Sequence, residues 1–310
     1  MNKLAFVFPG QGSQSVGMLD VLAADFPQVK QAFSEASDAI NNNLWDLVVN
    51  GPEERLNETT TTQPLMLAAD IAVWRAWQAR NGPQPGLLAG HSLGEYAALV
   101  ASGVMQFADA VRLVERRGQL MQSAVKPGKG AMAAVLGLDD EIIEAICREA
   151  AEGQIVSAAN YNSPGQLVIA GEANAVERAM HQAKAAGARR AVILPVSVPS
   201  HCALMRPAAE GLNEMLDAIE LCAPEIPVLQ NVNVTASADP DTIRKALSAQ
   251  LYSPVRWTDT VRSMANQGIQ RIAECGPGRV LSGLGRRINR DLEWLALEDI
   301  ETFERALAVQ

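Results

Sequence analysis

Residues 87–99 read Leu87-Leu88-Ala89-Gly90-His91-Ser92-Leu93-Gly94-Glu95-Tyr96-Ala97-Ala98-Leu99. A short apolar run gives way to a turn and then to helix-forming residues. The turn has the spacing G-x-S-x-G. On a tight strand-to-helix turn a serine projects its hydroxyl clear of the sheet, and Gly90 and Gly94 let strand and helix approach closely around it. The first helical amides, beginning at Leu93, then point at any oxyanion that forms there. A turn of this kind needs a strand before it and a helix after it, which confines the chain to an α/β fold and makes Ser92 a candidate nucleophile.

The 310 residues suffice for one large domain, or a large domain with a small one. A net charge of -9, with no basic stripe to offset it, argues against a nucleic-acid partner. No apolar run approaches the length of a membrane span, and the run at 4–8 is too short for a signal peptide before Pro9-Gly10 ends it. A cytoplasmic protein is the expectation. Cys147, Cys202, Cys222 and Cys275 form no C-x-x-C pair and the chain has three histidines, so neither a metal site nor a disulfide framework is expected.

Along the chain, 4–8 reads as a buried strand that runs into Pro9-Gly10-Gln11-Gly12-Ser13-Gln14-Ser15-Val16-Gly17. Gly17 comes too late for G-x-G-x-x-G, which sets aside a dinucleotide-binding loop. Exposed amides here would instead complete an oxyanion hole beside Ser92. Helices are expected to about residue 45 and over 65–80, the latter with Pro64 at its start. From 131 the pattern changes: strands at 131–137, 154–160, 166–170 and 189–196, with helices at 139–151 and 172–186. That βαββαβ order is the ferredoxin-like unit. The expected architecture is therefore a large α/β-hydrolase-like domain with a parallel sheet (1–126 and 198–310) and an inserted ferredoxin-like subdomain (127–197). Beyond it, strands are expected at 226–230 and 269–275, helices at 241–250, 255–267 and 279–288, and a further short helix in the tail.

Two more residues stand out. On a helix near 107–122, Arg117 falls in the middle of the apolar face formed by Ala110, Leu113, Val114, Leu120 and Met121. A guanidinium there must find a partner. The residues leave two readings open: an internal ion pair, or a clamp for a substrate carboxylate. His201 ends the extended segment Pro195-Val196-Ser197-Val198-Pro199-Ser200 and is the best candidate base for Ser92. His181 lies on a charged helix, and His91, inside the elbow, flanks the oxyanion without being placed to act as base. Cys202 points away from its neighbour in an extended chain. No carboxylate between Ser92 and His201 stands out as the third member of a triad.

Taken together, Phe8-Pro9-Gly10-Gln11-Gly12-Ser13-Gln14, Thr62-Gln63-Pro64, the elbow, Arg116-Arg117-Gly118, Asn162-Ser163-Pro164-Gly165-Gln166, Val198-Pro199-Ser200-His201-Cys202, Gln250-Leu251-Tyr252-Ser253-Pro254-Val255 and Gly276-Pro277-Gly278 give a resemblance over almost the whole chain. The chain resembles the bacterial malonyl-CoA:acyl carrier protein transacylases of fatty-acid synthesis. The resemblance implies Ser92 as the acylated nucleophile, His201 as its base, and the amides of Gln11 and Leu93 as the oxyanion hole. It implies Arg117 as the holder of the malonyl carboxylate, with Gln11 and His91 also touching substrate. It implies Gln250 as the residue that orients His201 through its main-chain carbonyl.

The implied partners are malonyl-CoA and a holo acyl carrier protein. Coenzyme A thioester and phosphopantetheine act as substrates, no cofactor or metal is called for, and a monomer is expected. Carrier proteins are typically acidic, so docking needs a local basic patch, for which Lys184, Arg189, Arg190, Arg286 and Arg287 are candidates. The rival readings are a serine esterase or thioesterase, a non-catalytic carrier-protein-binding subunit, and an acyltransferase of polyketide assembly or malonate decarboxylation.

Overall fold

The computed structural model describes residues 3–196 and 198–308. Five strands, β1 (Leu4–Phe8), β2 (Leu87–Gly90), β7 (Val228–Leu229), β8 (Arg271–Glu274) and β9 (Glu293–Ala296), form one sheet in the order β7-β2-β1-β8-β9. Every pairing in it is parallel. The strands are apolar because both faces are covered. Phe6, Phe8 and Leu88 point into one core cluster, while Ala5, Val7 and Ala89 point into another around Trp257 and Ile272.

The topology explains where a site can form. In a parallel sheet all the carboxyl ends of the strands lie at one edge, and ligands bind there, in the crevice outside them. β2 sits between β7 and β1. The turn after β2 is therefore flanked by the loop after β7 on one side and the loop after β1 on the other.

Four further strands, β3 (Gly130–Leu136), β4 (Val156–Ser163), β5 (Gln166–Glu172) and β6 (Arg190–Ile193), form an antiparallel sheet in the order β4-β5-β3-β6. Helices Asp140–Ala150 and Ala173–Ala185 bury Ile143, Ile146, Val176 and Ala179 on one of its faces. On the other face Met132, Ala159, Val168 and Ala170 cluster with Cys202. A parallel bridge between Asn160 and Val255, with Val255 N donating to the Ala159 oxygen at 2.9 Å, ties this sheet to the main body.

Three local expectations change. The helix expected to begin after Pro64 begins at Thr59 and runs to Ala79, with Pro64 inside it. Its first turns are buried against the helix Phe107–Ala124, where Gly118 permits a close crossing. A Cβ on Gly118 would lie 3.0 Å from both the Thr59 oxygen and the Thr60 Cα. Tertiary packing outweighs the one hydrogen bond that a proline removes. The strand expected at 226–230 shortens to two residues. The structure also adds a helix at Arg206–Ala218, with Pro207 in its first turn, and the strand β9, which precedes the tail helix Ile300–Ala308. No helix among the described residues is long and apolar enough to cross a membrane.

Candidate active site

The elbow is built as its glycines demand. A Cβ on Gly90 would lie 1.9 Å from the Gly94 carbonyl carbon, and one on Gly94 would lie 2.0 Å from the Phe8 oxygen. Ser92 itself holds φ of 53°, a left-handed conformation that L-residues adopt at a cost. Asn231, just past β7, braces it: the Ser92 amide donates to Asn231 Oδ1 at 2.8 Å, and Asn231 Nδ2 donates to the Gly90 oxygen at 2.7 Å. On the other flank, His91 N donates to the Phe8 oxygen at 3.0 Å. The loop after β1 comes so close that a Cβ on Gly10 would lie 2.5 Å from the His91 oxygen and 3.7 Å from the Leu93 nitrogen.

His201 reaches this turn from 109 residues away. Its Nε2 lies 2.7 Å from Ser92 Oγ, and its Nδ1 lies 2.7 Å from the main-chain oxygen of Gln250. A carbonyl oxygen only accepts, so Nδ1 carries the proton and Nε2 presents a lone pair to the Ser92 hydroxyl. Burial, reinforced by the Arg117 charge, pushes the imidazole down to about 3. His201 is thus neutral, with the Nε2 lone pair facing the Ser92 hydroxyl. Cys202 turns the other way, into the apolar cluster on the small sheet, where burial raises its thiol to about 11.

Arg117 is 1 % exposed. Its two terminal nitrogens donate to Gln63 Oε1 at 2.9 Å and to Gln250 Oε1 at 3.1 Å, and its Nε has no partner. The guanidinium also lies 5.4 Å from the centroid of the Tyr96 ring. Among the described residues no carboxylate comes within ion-pair distance of it. The internal ion pair left open by the sequence is therefore not formed. A buried cation that donates to neutral amides, with only the Tyr96 ring and the more distant Glu95 carboxyl to favour its charge, has capacity left for an anion.

These groups share one cavity of about 120 Å³, whose walls include Gln11, Ser92, Leu93, Arg117, His201 and, from the small sheet, Asn160. His91 lines it too. The His91 Nε2 lies 2.9 Å from Asn162 Oδ1 and its ring centroid 5.6 Å from that of Trp257, and burial lowers its pKa. Of the site residues expected from the sequence, Gln11, His91, Ser92, Leu93, Arg117 and His201 line this space, and Gln250 stands behind His201 and Arg117. Among the described residues no group of three or more His, Cys, Asp or Glu is placed to hold a metal ion.

Sequence reasoning assigned no role to Asn231, Gln63 or Glu95. Glu95 had a readable signature, a carboxylate in an otherwise small and apolar helix, Gly94–Ala101. Asn231 had none, since its position follows only from β7 lying beside β2. Of the basic candidates, Arg189, Arg190 and Arg287 line one surface depression of about 460 Å³, in which Arg287 donates to Gln166 Oε1 at 2.6 Å. Arg286 instead donates to the Trp294 oxygen at 3.4 Å, and Lys184 stands exposed near the end of Ala173–Ala185.

Residues 5–291 match the acyl transferase domain family. The chain is 55% identical over 307 residues to the malonyl CoA-acyl carrier protein transacylase of Salmonella typhimurium, covering 99% of each chain. It is 44% identical to the protein of the same name from Bacillus subtilis, over 99% of this chain and 97% of that one. Among solved structures it superposes with a TM-score of 0.96 on an acyl carrier protein S-malonyltransferase from Vibrio cholerae, at 56% identity over 98% and 99% of the two chains. It also superposes, with a TM-score of 0.98 at 55% identity over 100% of both chains, on a malonyl-transacylase solved in complex with a type II polyketide acyl carrier protein.

Proposed function

The chain belongs to the malonyl-CoA–acyl carrier protein transacylases, a family of acyl transferases, and from that premise we propose that it loads a malonyl group on Ser92 and passes it to a carrier-protein thiol. The enzyme transfers malonyl from malonyl-CoA to the phosphopantetheine of acyl carrier protein for fatty-acid biosynthesis. The single observation that carries the residue assignment is Arg117, buried and without a carboxylate partner, opening on the same cavity as the Ser92–His201 pair.

Ser92 Oγ attacks the thioester carbonyl while His201 Nε2 takes its proton. The tetrahedral oxyanion is held by the amides of Gln11 and Leu93, each worth roughly 3 kcal/mol in acyl-transfer enzymes. His201 then returns the proton to the departing coenzyme A thiolate. In the second half the carrier-protein thiol gives its proton to His201 and attacks the malonyl ester, and His201 passes that proton to the departing Ser92 oxygen, regenerating both residues. Arg117 pairs with the free malonyl carboxylate throughout, so a neutral acetyl group lacks the same hold. His91 bounds the acyl site. Coenzyme A and phosphopantetheine serve as substrates, and no cofactor enters the scheme.

The carrier protein is proposed to dock through Arg189, Arg190 and Arg287, which converge on one depression. A monomer working in the cytoplasm is part of the same reading, with sedimentation as the check on its mass. The deciding experiment is intact mass after brief incubation with malonyl-CoA, beside a Ser92→Ala control. A malonyl adduct that needs Ser92 and clears on adding holo carrier protein is expected. Free malonate accumulating without an adduct would point to a hydrolase.

A further inference from the structure

Glu95 is 0 % exposed, and burial pushes its carboxyl up to about 7. A buried acid with no ion-pair partner costs stability, so a residue needed only for packing would be apolar. Its two oxygens differ. Oε1 has no partner. Oε2 accepts from the Asn231 backbone amide at 3.0 Å and from Gln250 Nε2 at 2.8 Å.

Each of those donors aims part of the reaction centre. Asn231 braces the Ser92 amide and the Gly90 carbonyl, as described above. Gln250 Nε2 also donates to the Ser92 oxygen at 3.0 Å, its Oε1 accepts from Arg117 at 3.1 Å, and its main-chain oxygen accepts from His201 Nδ1. A carboxamide has one accepting end and one donating end. An acceptor at position 95 draws the donating end of Gln250 toward the elbow and leaves its oxygen for Arg117. With the amide reversed, an NH₂ group would face the guanidinium, donor against donor.

We propose that Glu95 is a positioning residue: through one oxygen it holds the two residues that aim the Ser92 nucleophile, the His201 base and the Arg117 clamp. The proposal rests on the transfer function above. Two accounts of Glu95 make opposite forecasts. If the reach of its acceptor oxygen matters, Glu95→Gln keeps both hydrogen bonds, because its NH₂ takes the place of the partnerless Oε1. Glu95→Asp then fails, because it is one methylene too short. If only the negative charge near Arg117 matters, Asp succeeds and Gln fails.

The test measures initial rates of Ser92 acylation by malonyl-CoA and by acetyl-CoA in the full chain and both variants, with circular dichroism as a check on folding. E95Q is expected to hold the malonyl-over-acetyl ratio, and E95D to lose it about tenfold, the worth of one hydrogen bond to a charged group. A general loosening of the fold would slow both substrates together and leave the ratio unmoved. E95D with an intact ratio, or E95Q without one, overturns the proposal, and the E95Q arm alone suffices should E95D not fold. An unaltered chain that forms no Ser92-dependent malonyl adduct overturns the transfer function itself, an outcome distinct from normal loading by the chain and both variants.

Discussion

His201 Nδ1 lies 2.7 Å from the main-chain oxygen of Gln250, in the position that a carboxylate takes in many serine enzymes. The carbonyl fixes the tautomer and the ring orientation as an acid would, but it adds no full negative charge. Its hydrogen bond favours the imidazolium, but burial, the largest influence, and the Arg117 charge outweigh it.

The pH dependence should follow from this. With His201 pushed down to about 3, the acylation rate by rapid-quench mass spectrometry is expected to stay level from about pH 8 to about pH 5, since the base remains neutral throughout. An acid limb near the ordinary histidine value would contradict the arrangement. The stability effect has a definite sign as well. The folded-state value lies below the unfolded one of 6.5, so the contribution of His201 is present above 6.5 and is lost as pH falls toward 3.

Arg117→Ala should separate the two acyl groups. Malonyl loading is expected to fall on the order of 10²-fold or more, the usual cost of removing one partner of a buried charge pair, while any acetyl loading falls far less. Parallel losses in acylation rates from the two thioesters would remove Arg117 as the carboxylate clamp.

Two glycine substitutions should behave in opposite ways under urea denaturation. Gly90→Ala drives a methyl group into the Gly94 backbone at 1.9 Å, and neither strand nor helix can retreat. Loss of the folded state, or a destabilisation of several kcal/mol, is expected. Gly283→Ala meets nothing within 4 Å inside the helix Val280–Ile288 and should stabilise by about 0.5–1 kcal/mol.

Charge reversal at Arg189 and Arg190 should raise the KM for the carrier protein and leave the acylation step from malonyl-CoA unaltered. Steady-state kinetics with the carrier protein varied, at two salt concentrations, would show it, because a docking patch of exposed charge weakens as salt rises. A KM that does not move would exclude these two side chains from docking.

What could be read from the chain alone was whatever local pattern encodes. The turn at 90–94 announced itself because its glycines and serine are neighbours in sequence. The same holds for the βαββαβ order, whose periods change at each element. Arg117 was legible as an anomaly, a charge on an apolar helical face, though its lack of an ion pair with any described carboxylate was not. Glu95 offered the same kind of anomaly in the helix beside it. Pro64, by contrast, misled: its local preference for a helix start was overruled by the crossing at Gly118.

Sequence by itself thus determined the α/β class and singled out the elbow, the βαββαβ order, and Ser92, His201 and Arg117 as candidates, since each of these follows from residue type and short-range spacing. Only the tertiary structure decided that β7, β2 and β1 lie side by side. That order brings Asn231 and the Gly10–Gln11 loop to opposite flanks of one serine. It also decided that Gln250 would meet His201, Arg117 and Glu95 at once. Such meetings join residues 49 to 155 positions apart. They arise from burying apolar faces against one another, a non-directional force that leaves no local mark at the polar positions it brings together.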